Sequence, residues 1–300
     1  MLRAYIHKAA SALLEFIGRL LIFNRRHPSV AEYVRDVRYG SEDPRKQTLD
    51  VAVPEGKGPF PVLVHIHGGG WHFMDKKSYV RIAKWFAHRG YLVFNIDYRL
   101  APGTIYPEQV QDVARAVRWA YDNAGMYGGD NSRVFIAGDS AGAYFTGLYA
   151  TTTRDPELAS AMGIERTIPP ESLKGLLLFY GAFDMEDVLT TGFKFIDFMC
   201  RGFFGNDPEK YRESAQVASP IRHLDAGFPP SFICSGERDK LHSQSVSFDR
   251  ALTAAGVPHR VLFFEEEEYP EAFHGFLNAY FLGCARLAMK ESLEFMADLQ

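Results

Sequence analysis

A serine flanked by glycines is the residue best suited to nucleophilic chemistry. The sequence GDSAG at 138–142 fits the pattern G-x-S-x-G, with Ser140 at its centre. An apolar run at 134–137 precedes it, and a helix-forming run follows it. Such a strand-turn-helix corner exposes the serine hydroxyl, while the glycines avoid collisions that side chains would cause. We interpret Ser140 as a nucleophile; the alternative is a glycine-flanked turn with a capping serine.

Two later loops could supply the base and the acid that acyl transfer by serine requires. His274 is the only histidine between the last predicted strand and the last predicted helix, which makes it the candidate base. The orienting acid should follow the strand predicted at 231–234, where Glu237 and Asp239 both lie. We prefer Asp239 because it lies deeper in the turn, near the apolar Leu241, and we keep Glu237 in reserve.

Three consecutive glycines at 68–70 could bring backbone N–H groups close to a tetrahedral centre. We assign the oxyanion hole to the N–H groups of Gly69, Gly70 and Ala141. Ala141 contributes because the first N–H groups of a helix are free to meet an anion.

Histidines near these glycines raise the question of a metal site. His65, His67 and His72 are close in sequence, but the first two lie at a strand end and no carboxylate lies among them. Zinc sites usually need a more complete ligand set. We therefore predict no metal and no organic cofactor.

The elements that must position these residues alternate between strands and helices. Apolar or alternating runs predict eight strands, at 33–39, 47–53, 62–66, 91–96, 134–137, 173–180, 231–234 and 259–264. Helices are predicted at 78–88, 107–124, after Ser140, at 244–255 and at 280–299. This alternation predicts an α/β fold with a mostly parallel sheet, helices on both faces and a ligand site at the carboxyl ends of the strands.

Two further segments are predicted to be helical. Apolar residues recur at helical spacing from Leu2 to Leu21, which predicts an amphipathic helix. It is too short and too charged to span a bilayer, and Glu15 and Arg19 interrupt any signal-peptide core. We expect it to pack on the protein, with peripheral membrane contact as the minor alternative. The Phe- and Met-rich stretch at 183–211 predicts a helical lid.

Composition narrows the classes of function. The chain has 300 residues and a formal charge of −4, from 33 basic and 37 acidic residues, which does not support nucleic-acid binding. Its three cysteines, Cys200, Cys234 and Cys284, lack the C-x-x-C spacing. They are typical of reduced thiols, and a cytoplasmic location is therefore expected.

Five motifs, in this order, resemble the hormone-sensitive-lipase-like branch of the α/β-hydrolases and its bacterial feruloyl-esterase-like and arylformamidase-like relatives. They are HGGGW at 67–71, YRLAP at 98–102, GDSAG at 138–142, and the loops of Asp239 and His274. The similarity covers residues 47–299, and the chain order of serine, aspartate and histidine is the order expected of these hydrolases.

The resemblance implies an α/β-hydrolase fold, with an eight-stranded sheet in which one strand is antiparallel. It implies one domain over 1–300, with a cap formed by residues 1–35 and about 183–215. It also implies that His67 braces the oxyanion loop without acting as a base, and that Asp139 supports the same loop.

The chain departs from this pattern at two places. Ala143 stands where many relatives have glycine, and we expect it to crowd the start of the helix. Four glutamates at 265–268 precede the histidine loop. We expect them to be solvated, although they could raise the pKa of His274 and disfavour anionic substrates.

We predict a serine carboxylesterase that hydrolyses short-chain esters through an acyl-enzyme at Ser140. An amide or formamide hydrolase with the same triad is the alternative, and a non-catalytic ligand-binding homologue ranks below it. The expected partner is a small ester, a homodimer is left open, and neither nucleic acid nor membrane is expected. Six lid residues could form an apolar pocket or merely pack the cap: Phe193, Phe195, Phe198, Met199, Phe203 and Phe204.

Overall fold

Eight strands lie side by side in one sheet of the computed structural model, which describes residues 27–300. The strands are β1 (Glu32–Arg38), β2 (Thr48–Val53), β3 (Phe60–Ile66), β4 (Leu92–Ile96), β5 (Gly129–Asp139), β6 (Leu173–Phe179), β7 (Ser231–Gly236) and β8 (His259–Phe264). Their order is β1-β2-β4-β3-β5-β6-β7-β8. Only β2 runs against its neighbours, β1 and β4, and the pairs from β4 to β8 are parallel. The predicted mostly parallel sheet with one antiparallel strand is confirmed.

Within the described residues, α-helices cover both faces of this sheet. They are α1 (Val80–Ala87), α2 (Glu108–Asn123), α3 (Ala141–Thr152), α4 (Pro156–Ala161), α5 (Ile196–Phe204), α6 (Pro208–Val217), α7 (His242–Ala255) and α8 (Gly283–Ala297). Helices α1 and α8 contribute to the apolar core on one face, whereas α2, α3 and α7 contribute to the core on the other. The short helix α4, which Asp155 caps by accepting the N–H of Leu158, was not predicted.

The two cores explain why the central strands are apolar throughout. Along β3, Val62 and Val64 belong to the core beneath α2 and α3, while Leu63 belongs to the core beneath α1 and α8. Along β4, Phe94 and Val93 divide in the same way. Because both faces are buried, most side chains of such a strand are apolar.

A helical cap lies between β6 and β7, as predicted for residues 183–215. It comprises a 3₁₀ turn at Asp187–Thr190 followed by α5 and α6. The ring of Phe203 stacks on Trp71 at 5.0 Å, and the carbonyl of Phe203 accepts the N–H of Tyr106 at 2.8 Å. The cap is therefore attached to the loop after β3 and to the loop after β4.

The predicted cap also included residues 1–35, and the described part of this range does not form a cap helix. Residues 32–35 lie in β1, at the edge of the sheet. The helix predicted before them, which spans Leu2 to Leu21, lies outside the described residues and stays a prediction. Across residues 27–300, no helix combines the length and the apolar character needed to cross a bilayer.

A buried lysine lies behind the loop that follows β3. Lys76 is 1% exposed, and its Nζ contacts the carboxylates of Asp36, Asp50 (3.3 Å) and Asp97 (3.7 Å). The backbone N–H of Lys76 also donates to Asp97, and its carbonyl accepts from Asn95. Burial raises the pKa of Asp97 to about 7. One cation thus balances three carboxylates that the fold brings together from distant parts of the chain.

Replacing this lysine should be costly. Lys76→Met leaves Asp50 and Asp97 buried without their cation, and we expect it to lower the free energy of unfolding by about 3 kcal/mol. Urea denaturation would measure the loss. The matched control, Lys57→Met, changes an exposed lysine and should alter stability by less than about 0.5 kcal/mol. Equal effects from the two variants would contradict a stabilising role for the Lys76 cluster.

Candidate active site

The corner between β5 and α3 holds Ser140 in a strained backbone conformation. Its φ of 52° and ψ of −119° are unusual for a residue with a side chain. The N–H of Ser140 donates to the carbonyl of Phe179 at 2.8 Å, which fixes the corner to the end of β6. A Cβ atom on Gly142 would collide with the carbonyl oxygen of Ile66, and one on Gly138 would collide with Gly142 itself. Both glycines of the G-x-S-x-G pattern are therefore required by close backbone contacts.

The structure brings the three predicted triad residues into one line of hydrogen-bond contacts. Nε2 of His274 lies 2.9 Å from Oγ of Ser140, and its Nδ1 lies 2.7 Å from Oδ2 of Asp239. The carboxylate of Asp239 is buried, and its other oxygen accepts the N–H of Leu241 at 2.8 Å. A base within reach of a hydroxyl, itself oriented by a buried acid, is the arrangement that activates a serine nucleophile.

The reserve acid, Glu237, lies elsewhere. It is exposed, and its carboxylate accepts the N–H of Glu266 at 2.9 Å rather than contacting His274. The four glutamates at 265–268 are all exposed, so the expectation of a solvated run is confirmed. Ala143 is buried, and its Cβ packs where Gly181 leaves room for it.

The glycine loop after β3 adopts a conformation that other residues would resist. Gly69 and Gly70 have φ values of 117° and 55°. The carbonyl of Gly69 accepts the N–H groups of His72 (3.1 Å) and Phe73 (2.9 Å), which closes a tight turn. A Cβ on Gly69 would collide with the carbonyl of Phe73. The turn therefore depends on glycine at both positions.

Asp139 ties this loop to the serine corner. Its Oδ1 accepts the N–H of Gly68 at 2.8 Å, and its Oδ2 accepts the hydroxyls of Tyr79 (3.0 Å) and Tyr180 (3.4 Å). Burial raises the pKa of Asp139 to about 6, although the hydrogen bonds from Tyr79 and Gly68 favour the charged form. The predicted loop support at Asp139 thus has a direct contact, whereas the two tyrosines were not singled out from the sequence.

His67 lies beneath the same loop. Its ring stacks on Tyr98 at 4.3 Å, and its Nδ1 lies 2.7 Å from the carbonyl oxygen of Gly68. Burial lowers the pKa of His67 to about 3, so the imidazole is neutral at physiological pH. The ring is fully buried and packs against the loop, which agrees with a bracing role rather than a role as base.

The other histidines near the glycine loop have separate contacts. Nδ1 of His65 lies 3.2 Å from Oδ1 of Asn95, and Nε2 of His72 lies 3.1 Å from the carbonyl oxygen of Met199. Between residues 27 and 300, no group of three or more His, Cys, Asp or Glu side chains is placed to hold a metal ion.

The aromatic cap residues divide between the site and the cap interior. The ring of Phe193 meets His274 edge-on at 4.7 Å, and Sδ of Met199 fills the space beside Gly70. Phe203 and Phe204 are buried, and the ring of Phe203 packs the cap against Trp71. Two residues therefore wall the site, and two pack the cap. The remaining pair, Phe195 and Phe198, is 55% and 36% exposed.

The raised pKa of Asp139 should make the free energy of unfolding depend on pH. Between about pH 4 and pH 7 this carboxyl is already ionised in the unfolded chain but still partly protonated in the native state. The contribution of Asp139 to stability therefore falls as pH rises. Asp139→Asn does not titrate there. We expect its stability, relative to the natural protein, to improve by up to about 3 kcal/mol across that range. Urea unfolding at several pH values would measure this change.

The control for this prediction is Gln216→Ala, because it replaces an exposed side chain of α6 that does not titrate. Its stability difference from the natural protein should stay nearly constant over the same pH range. A constant difference for Asp139→Asn as well would show that burial does not disfavour its ionised form.

Comparison with known proteins places this geometry in a family. The BD-FAE family model matches residues 49–252. The carboxylesterase NlhH of Mycobacterium tuberculosis is 30% identical over 231 residues, which cover 75% of this chain and 69% of NlhH. The esterase LipC of the same organism is 31% identical over 210 residues, covering 68% of this chain. This chain spans 51% of the length of LipC and 59% of that of another mycobacterial esterase, LipQ.

Solved structures agree on the fold. Esterase B from Lactobacillus rhamnosis has a TM-score of 0.87 at 23% identity, with coverage of 99% of this chain and 94% of that chain. The thermostable carboxylesterase EstE1, cloned from a metagenomic library, has a TM-score of 0.78 at 23% identity, with 97% of both chains covered. The resemblance predicted from the motifs is confirmed: this chain has the α/β-hydrolase fold and belongs to the BD-FAE family.

Proposed function

We propose that this protein is a serine carboxylesterase that hydrolyses short-chain carboxylic esters through an acyl-enzyme at Ser140. The observation that carries the proposal is the continuous line of contacts from Oγ of Ser140 through His274 to Asp239, at 2.9 and 2.7 Å. The names of the relatives, which are esterases and carboxylesterases, support ester hydrolysis as the reaction.

The first step is attack on the ester carbonyl. Oγ of Ser140 bonds to the carbonyl carbon while Nε2 of His274 takes the hydroxyl proton. The imidazolium that forms is stabilised by the carboxylate of Asp239, which already lies against Nδ1. Because Asp239 is buried and held by the N–H of Leu241, it can orient the ring without being displaced by water.

The negative charge on the carbonyl oxygen needs donors that are already in place. We assign these to the N–H groups of Gly69, Gly70 and Ala141. Ala141 is the first residue of α3, so its N–H has no acceptor within the helix. Asp139 supports this assignment by holding Gly68 beside the serine corner. The loss of one such donor typically raises the barrier by about 3 kcal/mol.

The second half of the reaction repeats the same chemistry with water. His274 gives its proton to the alcohol oxygen as the carbon–oxygen bond of the ester breaks, which leaves the acyl group on Ser140. It then takes a proton from water as the water oxygen attacks the acyl-enzyme, and returns that proton to Ser140 when the acid leaves. Each step uses groups of this chain and water alone.

The cap supports a preference for small acyl groups. Met199 lies against Gly70, one of the assigned oxyanion donors, and Phe193 lies against the ring of His274. Both side chains therefore take up space next to the reacting carbonyl. We also propose a cytoplasmic location, because Cys200, Cys234 and Cys284 are buried thiols without disulfide bonds.

The reaction class can be tested with p-nitrophenyl esters from acetate to decanoate, assayed beside N-formylkynurenine. We expect rapid turnover of the short esters and a loss of kcat by about four orders of magnitude or more in Ser140→Ala. The matched control, Ser132→Ala, alters an exposed serine and should retain full activity. Turnover of the formamide alone would replace the esterase with an amide hydrolase. No turnover of any compound would leave a ligand-binding protein.

The chain-length preference tests the role of the cap. Met199→Ala opens space beside Gly70, and we expect kcat/KM for the decanoate ester to rise about tenfold relative to the butyrate ester, since each extra buried methylene adds favourable transfer free energy. Val217→Ala, at the exposed end of α6, serves as the control and should leave the ratio unchanged. An unchanged ratio in Met199→Ala would mean that the acyl chain does not reach this side chain.

A further inference from the structure

A cavity lies between α1 and α8, on the face of the sheet opposite the cap helices. Its volume is about 320 Å³, at the lower end of the range for small-molecule sites. Aliphatic side chains form much of its wall, including Ile82, Leu277 and Met289. None of the residues that line it belongs to the triad or to the glycine loop. The cavity is therefore separate from the candidate active site.

The charged side chains that line this cavity are cationic. Among residues 27–300 they are Arg81, Arg89, Arg286 and Lys290, and no acidic residue of this range lines the cavity. Lys290 is partly neutralised by Glu294, at 3.2 Å on the next turn of α8. The positive charge that faces the cavity is thus contributed mainly by arginines on both helices.

The guanidinium groups of Arg89 and Arg286 each use only some of their N–H donors in hydrogen bonds with the protein. Nη1 of Arg89 donates to the carbonyl of Trp85, and Nη1 of Arg286 donates to the carbonyl of Phe281. Among residues 27–300, neither of the two arginines forms a salt bridge with a carboxylate. Each guanidinium carries five N–H donors, so both retain donors for an anion.

Mutual repulsion between the cations also favours the binding of an anion in this cavity. Burial lowers the pKa of Arg81, and the neighbouring positive charge of Arg89 acts in the same direction. Like charges that face one cavity are stabilised when an anion binds between them.

The aromatic walls limit the kind of ligand. The guanidinium of Arg89 lies over the ring of Trp85 at 3.6 Å, and that of Arg81 lies over Tyr280 at 3.7 Å. Each guanidinium covers one face of its ring. Ile82, Leu277 and Met289 are 3%, 2% and 5% exposed, so they form the buried base of the cavity. A cationic rim above an aliphatic wall matches a molecule with one anionic end and an alkyl chain.

We propose that this cavity binds a free alkyl carboxylate of medium chain length. Its carboxylate lies among the arginines, where charge-assisted hydrogen bonds replace water, and its chain packs on Ile82, Leu277 and Met289. The inference does not depend on ester hydrolysis, because binding at this site requires no reaction at Ser140.

The test is a calorimetric titration of the full chain with decanoate, below the concentration at which decanoate forms micelles. We expect saturable binding that weakens about tenfold in the double variant Arg89→Gln/Arg286→Gln. Arg250→Gln removes an exposed arginine from α7, on the opposite face, and should leave the affinity unchanged. Decanol, which lacks the charge, should bind more weakly than decanoate.

Tryptophan fluorescence would test whether decanoate binds in this cavity. Trp85 lines it, whereas Trp71 and Trp119 do not, so decanoate should alter tryptophan fluorescence in the natural protein and not in Trp85→Phe. Circular dichroism would verify that the arginine double variant is folded. Equal affinity in the double variant would overturn the proposal by placing decanoate elsewhere. Binding to vesicles of anionic lipid, without binding of free decanoate, would overturn it in favour of a membrane surface.

Discussion

The candidate active site depends on one buried carboxylate, that of Asp139. It ends β5, immediately before Ser140, and accepts hydrogen bonds from the loop after β3, from Tyr79 ahead of α1 and from Tyr180 at the end of β6. An unpaired charge at this depth would be strongly unfavourable, so the three donors cannot leave without cost. Asp139 therefore joins the glycine loop directly to the serine corner.

Much of this arrangement could be predicted from local sequence. Apolar runs identify the central strands because both faces of these strands are buried, as the division of Val64 and Leu63 between the two cores illustrates. The edge strand β1 is largely exposed, and it was identified by alternation instead. Ser140, Asp239 and His274 could be selected because each follows a strand whose carboxyl end must meet the others at one edge of the sheet. Asp239 was preferred over Glu237 because it lies deeper in the turn, and in the structure it is buried and contacts His274.

Long-range polar contacts could not be predicted in this way. The sequence around Tyr79 predicts only a helix, and that around Tyr180 predicts only a strand. Nothing in their spacing indicates that both hydroxyls contact the carboxylate of Asp139. The Lys76 cluster combines carboxylates from β1, β2 and the end of β4, which are separated by many residues. The sequence also could not show which cap phenylalanines line the site. Phe193 and Phe203 have the same side chain, but the fold places the first against His274 and the second against Trp71.

The attachment of α5 to the glycine loop has a consequence for exchanging parts between members of this family. Met199 packs against Gly70, the carbonyl of Met199 contacts His72, and Phe203 stacks on Trp71. The cap helix and the loop are thus a single packing unit, although more than a hundred residues separate them in the chain. A cap grafted from a relative would have to bring its own residues 70–72 with it. Exchanging either part alone would leave mismatched surfaces above Ser140.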